Sequence, residues 1–358
     1  MRPSFGPMLG TPFEYGVLAL EEARLTWNKG AAPGILSRAA RAFDDAAKVG
    51  DVGGEVGAAV ARSLAGDNES AIRRLREAIA KHPDEAGPYV ALGVLLLRDS
   101  DPLSHAEEAA WALCAARDLA PQVAFIEREL AVALCASGHF MAALQSARAA
   151  LALDPEDIDA RLWSALLRLY FGGDASSASV LIEIADEADT QLRAPMFWLG
   201  AAAGLYARAE FQEARVALRR AIAPMKMGYE LERPYVDAAR RWMREVRGFG
   251  PGVAMAPDRW LKDVGGAHSE YVRTRAALTA LRDACQRDPE RALAEGVSAL
   301  EVEAAISEME ARTRRGMLDW AARLLLRGFA EAFLPLRQYL EPPPYEAFAA
   351  MGIVLLDG

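Results

Sequence analysis

Small and apolar residues recur along the chain at spacings of four and then three positions, which places them on one face of a helix. The pattern first occurs at Ala39, Phe43 and Ala46. Five further sets repeat it: Ala71, Leu75, Ala78; Ala109, Leu113, Ala116; Ala143, Ala147, Ala150; Ala178, Ile182, Ala185; and Ala214, Leu218, Ala221. These five sets begin 38, 34, 35 and 36 residues apart. Such a period predicts stacked helical hairpins that bury their apolar faces against one another.

Glycine and proline punctuate these repeats at fixed positions. A glycine stands five residues before the first alanine of three sets, at Gly66, Gly138 and Gly173. A proline stands five residues after the last alanine of the first three sets, at Pro83, Pro121 and Pro155. Because proline cannot continue a helix, each one is expected to end the second helix of a hairpin and to start the turn into the next.

The motifs between these markers resemble the tetratricopeptide repeat family, whose pattern over about 34 residues is W-x₂-L-G-x₂-Y, A-x₃-F and P. The matching residues, unit by unit, are Tyr89, Leu92, Gly93, Leu96, Ala109 and Pro121; Leu130, Ala131, Leu134, Gly138, Phe140, Ala143 and Pro155; and Trp198, Ala201, Ala202, Leu205, Phe211 and Ala214. The resemblance implies an all-α fold, a right-handed α-solenoid of helical hairpins. The alternative is an irregular helical bundle.

Two departures from the family pattern stand out. Residues Asp99–Ser104 are inserted between the two helices of the Tyr89 unit. The unit around Gly173 lacks the closing proline and aligns only with a shift of one residue.

The domain organisation predicted from these patterns has three parts. A repeat array spans 13–247, with its best repeats at 52–226, and a Gly/Pro linker follows at 248–257. A helical region then spans 258–358, with helices predicted at Glu270–Gln286, Pro289–Gly296, Leu300–Thr313 and Met317–Leu340. The last is expected to be interrupted at Pro335, and Ser298 with Glu301 predicts a capping box before the third.

The resemblance also implies a binding surface, because in this family the first helix of each hairpin lines a concave face that binds peptides. The residues assigned to this groove are Val90, Val94, Leu97, Phe125, Arg128, Val132, Cys135, Leu199 and Tyr206. The Asn and Lys residues with which family members capture a peptide carboxylate are missing from these units. The mostly apolar groove therefore favours an amphipathic helix or apolar peptide of a partner protein.

Two other roles for these residues stay open. They could simply pack between neighbouring repeats, or the chain could cover its own groove with the apolar helix Met317–Leu340. That helix is equally suited to cap the array or to form an oligomer contact, with a second copy or with another protein.

Charge and composition narrow the function classes. The formal net charge is −9, and arginine is interleaved with glutamate and aspartate, which argues against a nucleic-acid partner. Three widely separated cysteines among apolar residues indicate reduced core thiols. No stretch has the length or apolar character of a secretion signal or membrane span, so a cytoplasmic location without membrane insertion is expected.

No pattern of catalytic or metal-binding residues is present. The four histidines have no metal-ligand spacing, and the glycines at 248, 250 and 252 lack the strand and Lys-Ser/Thr of a phosphate loop. We therefore expect no cofactor and no enzymatic activity. The leading hypothesis is a protein-interaction scaffold or adaptor, possible also within a larger assembly. The alternatives are a ligand- or peptide-sensing regulatory protein and an enzyme with its site in the C-terminal region.

Overall fold

A computed structural model describes residues 10–26, 32–99, 101–172, 174–188, 194–222, 232–249, 266–294, 296–340 and 345–353. Its helices are α1 (Pro12–Leu25), α2 (Ala32–Ala47), α3 (Val52–Leu64), α4 (Asn68–Lys81), α5 (Ala86–Leu97), α6 (Ala106–Leu119), α7 (Ala124–Ser137), α8 (Phe140–Leu153), α9 (Ile158–Tyr170), α10 (Ser177–Glu187), α11 (Ala194–Ala207), α12 (Phe211–Ile222), α13 (Glu232–Phe249), α14 (Gly266–Arg287), α15 (Pro289–Ala294), α16 (Ala299–Leu340) and α17 (Tyr345–Ala350).

The described part of the chain is entirely helical, without strands, which confirms the predicted all-α class. From α1 to α12, each helix packs against its neighbours in sequence. Odd-numbered helices also contact the next odd-numbered helix, from α1 and α3 through to α9 and α11. This arrangement agrees with a helical repeat array. No helix within the described ranges combines the length and apolar character needed to cross a bilayer.

The residues of the four-then-three pattern are the contact residues of the hairpins. Those of the α4, α6 and α8 sets are all buried, and alanine at two or three of the three positions keeps the side chains small at the helix contacts. In α10 and α12 the central position was predicted wrongly. Leu181 and Ala217 are fully buried there, whereas Ile182 and Leu218 are only partly buried. The outer alanines of both sets are buried as predicted, so the spacing in these two helices is three and then four.

Local signals set the ends of the helices. Gly66 and Gly138 follow the first helices of their hairpins with φ of 96° and 88°, a backbone conformation that favours glycine. Gly173 lies outside the described residues. At the opposite end of hairpins, the side chains of Asp51 and Asp157 accept hydrogen bonds from the first turns of α3 and α9.

The C-terminal region differs from its prediction in helix continuity. Helix α16 is one helix of 42 residues, where two were expected, and it continues through Gly316 and Pro335. A glycine costs only about 1 kcal/mol in a helix, so tertiary contacts outweigh it. The predicted linker begins inside α13, which extends to Phe249, and the rest of it lies outside the described residues.

The N-terminus of α16 confirms a local prediction. Glu301 N–H donates to Ser298 Oγ at 3.2 Å, and Ser298 N–H donates to the Glu301 carboxylate at 3.0 Å. This is the expected capping box. The hydrogen bonds from Ser298 lower the pKa of Glu301.

Replacing Gly138 tests the role of the left-handed turn. Gly138→Ala should lower the free energy of unfolding by about 1 kcal/mol, because alanine is strained at a φ of 88°. Gly34→Ala is the matched control, since Gly34 lies in α2 without a positive φ and with open space around it. The control should leave stability unchanged or raise it. Urea denaturation measures both, and an equal effect of the two changes would contradict this account.

Candidate functional site

The odd-numbered helices α3, α5, α7, α9 and α11 form one surface, which we name the odd-helix face, because each contacts the next. All the predicted groove residues lie on it. Val90, Val94 and Leu97 are on α5, Phe125, Arg128, Val132 and Cys135 are on α7, and Leu199 and Tyr206 are on α11. The α5 and α7 residues lie on adjacent helices, whereas α9 separates the α7 residues from those of α11.

The predicted groove residues are not open to solvent. Tyr206 is partly buried and packs on Phe211, with ring centroids 5.0 Å apart, and the other eight are buried. Burial raises the pKa of the Cys135 thiol, as expected for a cysteine enclosed by apolar side chains. These residues become available to a partner only if whatever covers them moves.

The chain's own C-terminus contributes the cover. Helix α16 contacts α13, α9 and α7, and α17 contacts α7 and α5. The C-terminal segment therefore runs back over the odd-helix face from α9 towards α5, whereas the helices of the array follow one another from α1 to α12. We name residues 325–334 and 346–353 the C-terminal cover. Its buried apolar residues are Leu325, Leu326, Phe329, Ala330, Ala332, Phe333, Leu334, Ala347, Phe348, Met351 and Ile353.

An aromatic cluster lies at the centre of the covered face. Trp163 of α9 meets Phe329 and Phe333 edge to face, with ring centroids 5.3 and 5.2 Å apart. Trp242 of α13 meets Phe329 in the same way at 5.0 Å. All four rings are buried, and each such pair contributes about 0.5–1.5 kcal/mol beyond the burial of its area.

Two glycines allow the cover to approach the array closely. A Cβ at Gly328 would lie 3.0 Å from Cδ1 of Trp242, whose indole N–H donates to the Leu325 carbonyl at 2.6 Å. A Cβ at Gly87, in the first turn of α5, would lie 2.6 Å from the Met351 carbonyl oxygen. Neither glycine position can take a larger residue without shifting the cover.

Two polar groups on α9 are buried without a hydrogen bond. The Trp163 indole N–H and the Tyr170 hydroxyl have no partner within the described part of the chain. They are seven residues apart and so lie along one side of the helix. Burial raises the pKa of Tyr170. An unsatisfied buried polar group costs about 1–3 kcal/mol, so the cover matches the face in shape better than in polar groups.

Arg128, predicted to meet a partner, is bound within the array itself. Its guanidinium donates to Asp157 at 2.8 Å and to Glu129 at 3.2 Å, and it lies over the Phe125 ring at 4.8 Å. Burial alone would lower the pKa of Arg128, but the nearby carboxylates of Glu129, Asp159 and Asp157 together raise it. Because Asp157 also caps α9, this ion pair ties the start of α9 to α7.

A cleft of about 690 Å³ opens beside this ion pair. Its lining residues come from the starts of α7 and α9 and from α17, and they include Phe125, Arg128, Asp157, Ile158 and Glu346. The cleft is therefore the place where solvent reaches the margin between the odd-helix face and the cover. Among the described residues, no group of three or more His, Cys, Asp or Glu side chains could hold a metal ion.

The sequence prediction missed the contribution of α9. Trp163 was not assigned to the groove, although it is fully buried and carries the aromatic cluster. The α9 hairpin was the unit that aligned only with a one-residue shift, so its groove positions were not assigned with those of α5 and α7. The available signal was the spacing of Trp163, Leu166 and Tyr170, which is that of the W, L and Y of the family pattern. The face thus built can hold an apolar helix.

The two tryptophans allow a matched test of how the cover is held. Trp242→Phe should lower the free energy of unfolding by about 1 kcal/mol more than Trp163→Phe. Both changes keep an aromatic ring, but only Trp242 loses a hydrogen bond, to Leu325. Thermal and urea denaturation of the two variants give the comparison. A larger loss for Trp163→Phe would contradict the assignment of the unsatisfied indole.

Comparison with known proteins identifies no family for this chain. No protein-family model matches it, and no curated protein matches it. The odd-helix face, the cover and the cleft at their margin are therefore the observations on which a function can be based.

Proposed function

We propose that this protein is a non-enzymatic interaction scaffold or adaptor of the tetratricopeptide-like kind. In this proposal α1 to α13 form a right-handed α-solenoid whose concave side is the odd-helix face. That face binds an amphipathic helix of a partner protein, within a larger assembly or as a two-protein complex.

The observation that carries the proposal is that the face already holds a helix. Phe329 and Phe333, four residues apart, insert one side of α16 against Trp163. This is the helix-in-groove mode of recognition, in which anchors at helical spacing enter an apolar surface. A surface built to hold one helix through aromatic anchors has the chemistry to hold another.

The shape of the face supports the same proposal. It is assembled from successive helices rather than from one pocket, so it offers a long and mainly apolar surface, with buried charged residues such as Arg128, Glu129 and Asp159 near the starts of α7 and α9. Left uncovered, an apolar surface of this extent would associate with other proteins or aggregate. A helical partner satisfies it better than a small ligand does, because only an extended ligand reaches several helices at once.

Photo-crosslinking tests where the partner binds. A photoreactive phenylalanine analogue replaces Ile158, at the margin of the odd-helix face, in the full chain. The matched control places it at Met141, an exposed residue of α8. We expect a crosslinked protein from position 158 and none from 141, with the attached segment identified by mass spectrometry as an amphipathic helix. Crosslinks from position 141 alone would refute the proposal.

A further inference from the structure

We propose that the C-terminal cover is an exchangeable internal ligand, and that the partner helix which replaces it carries the order small–aromatic–x–acidic–x–aromatic. This inference rests on the proposed function and specifies its partner. The order is that of residues 328–333 in the cover: Gly, Phe, Ala, Glu, Ala and Phe.

The aromatic positions follow from the cluster at the centre of the face. Phe329 lies between Trp163 and Trp242, at 5.3 and 5.0 Å, and Phe333 adds the second contact with Trp163. A competing helix must present two rings four residues apart to recover these contacts. Leucine at either position would lose the edge-to-face geometry.

The small residue before the first ring follows from the closeness of Trp242. A side chain at position 328 starts 3.0 Å from the indole, which leaves room for glycine and little more. A partner helix that follows the same path therefore needs glycine there.

The acidic position follows from the arginines of α13. Glu331 pairs with Arg241 at 3.1 Å, on the rim of the covered face. Arg240 and Arg244 lie beside Arg241 on α13 and have no ion pair among the described residues. These three arginines line a cleft of about 530 Å³ together with one carboxylate of α13, Asp237. With Glu331 of the cover, two carboxylates stand beside three arginines, so a partner helix with a further acidic residue would add an ion pair that the cover does not make.

Exchange is favoured because the cover leaves a polar group that it contacts unsatisfied. Trp163 packs against Phe329 and Phe333, and its indole N–H has no hydrogen bond within the described residues. A partner helix with a serine, threonine or glutamate side chain facing Trp163 would accept the indole hydrogen bond. The partner can then bind the face more strongly than the cover without making any new apolar contact.

The cover belongs to the same chain as the face that it occupies, and this covalent link sets the affinity that a competing partner helix needs. A tethered segment acts at an effective concentration on the order of millimolar, so a free copy of the same helix competes poorly. Weakening the cover should therefore reveal binding of a free helix to the otherwise unchanged face.

The test uses the full chain and a fluorescently labelled synthetic peptide of residues 321–340, with binding followed by anisotropy. We expect the double variant Phe329→Ala, Phe333→Ala to bind the peptide at least about tenfold more tightly than the natural chain, because its own cover competes less. Leu300→Ala is the control, since Leu300 lies on the same helix and is 81% exposed. The peptide with alanine at both phenylalanine positions should not bind, and the peptide with Glu331→Gln should bind several-fold more weakly.

A second variant keeps the test interpretable if the double variant does not fold. Gly328→Ala places a methyl group 3.0 Å from Cδ1 of Trp242 and loosens the part of the cover that the peptide replaces, while alanine is favourable within helix α16. It should also strengthen peptide binding relative to the Gly34→Ala control. If both variants fold, as judged by circular dichroism, and neither binds the peptide better than the natural chain, the cover is not exchangeable.

Hydrogen exchange separates this inference from the proposed function. Partner binding should raise the exchange of amides in 325–334 of the natural chain, as the cover leaves. If position 158 gives crosslinks while the amides of the cover stay protected, the replacement of the cover is refuted and the scaffold function is not. Loss of the crosslinks as well would overturn both.

Discussion

The contact between Trp163 and the two phenylalanines of α16 is the interaction on which the odd-helix face depends. These rings join an array assembled from neighbours in sequence to a segment from the far end of the chain. Without them α16 would lose its aromatic contacts with α9, and burial of apolar surface is the dominant favourable term in folding. The glycines at 87 and 328 and the indole of Trp242 act in support, because they allow the cover to lie close enough for the rings to meet.

Polar groups are arranged differently at the margin of the face and at its centre. At the margin, Arg128 is enclosed by carboxylates and makes a structural link between α7 and α9. Removing one member of a buried ion pair leaves an uncompensated charge, so this cluster fixes the relative position of the two helices. At the centre, by contrast, the Trp163 indole has no acceptor among the described residues. The margin is held by an ion pair between two helices, and the centre is where a different helix could make a hydrogen bond that the resident one does not.

Local features of the chain were predictable, and long-range ones were not. The hairpins followed from residues within one repeat: the alanine and leucine spacing, Gly138 at a left-handed turn, and the Ser298–Glu301 box. The sequence left open whether Val90 and Val132 pack between repeats, meet a partner or lie under the helix predicted at Met317–Leu340. Trp242 and Leu325 are 83 residues apart, and periodicity within a helix carries no information on such pairs. The same limit explains why two helices were predicted where α16 is a single helix. Gly316 weakens the helix locally, whereas residues 325–334 stabilise it through contacts with other helices.

The path of the C-terminal segment has a consequence for synthesis of the chain. Phe329 follows Trp163 by 166 residues, and a ribosome adding about 5–20 residues per second needs on the order of 10–30 s to make that stretch. During this interval the hairpins from α1 to α9 can fold one after another, since their contacts are local. Their odd-helix face nevertheless has no helix to bury it until residues 325–353 have been made. The nascent protein therefore passes through a stage in which a folded array presents a long apolar surface, and a chaperone that recognises such surfaces would meet it there.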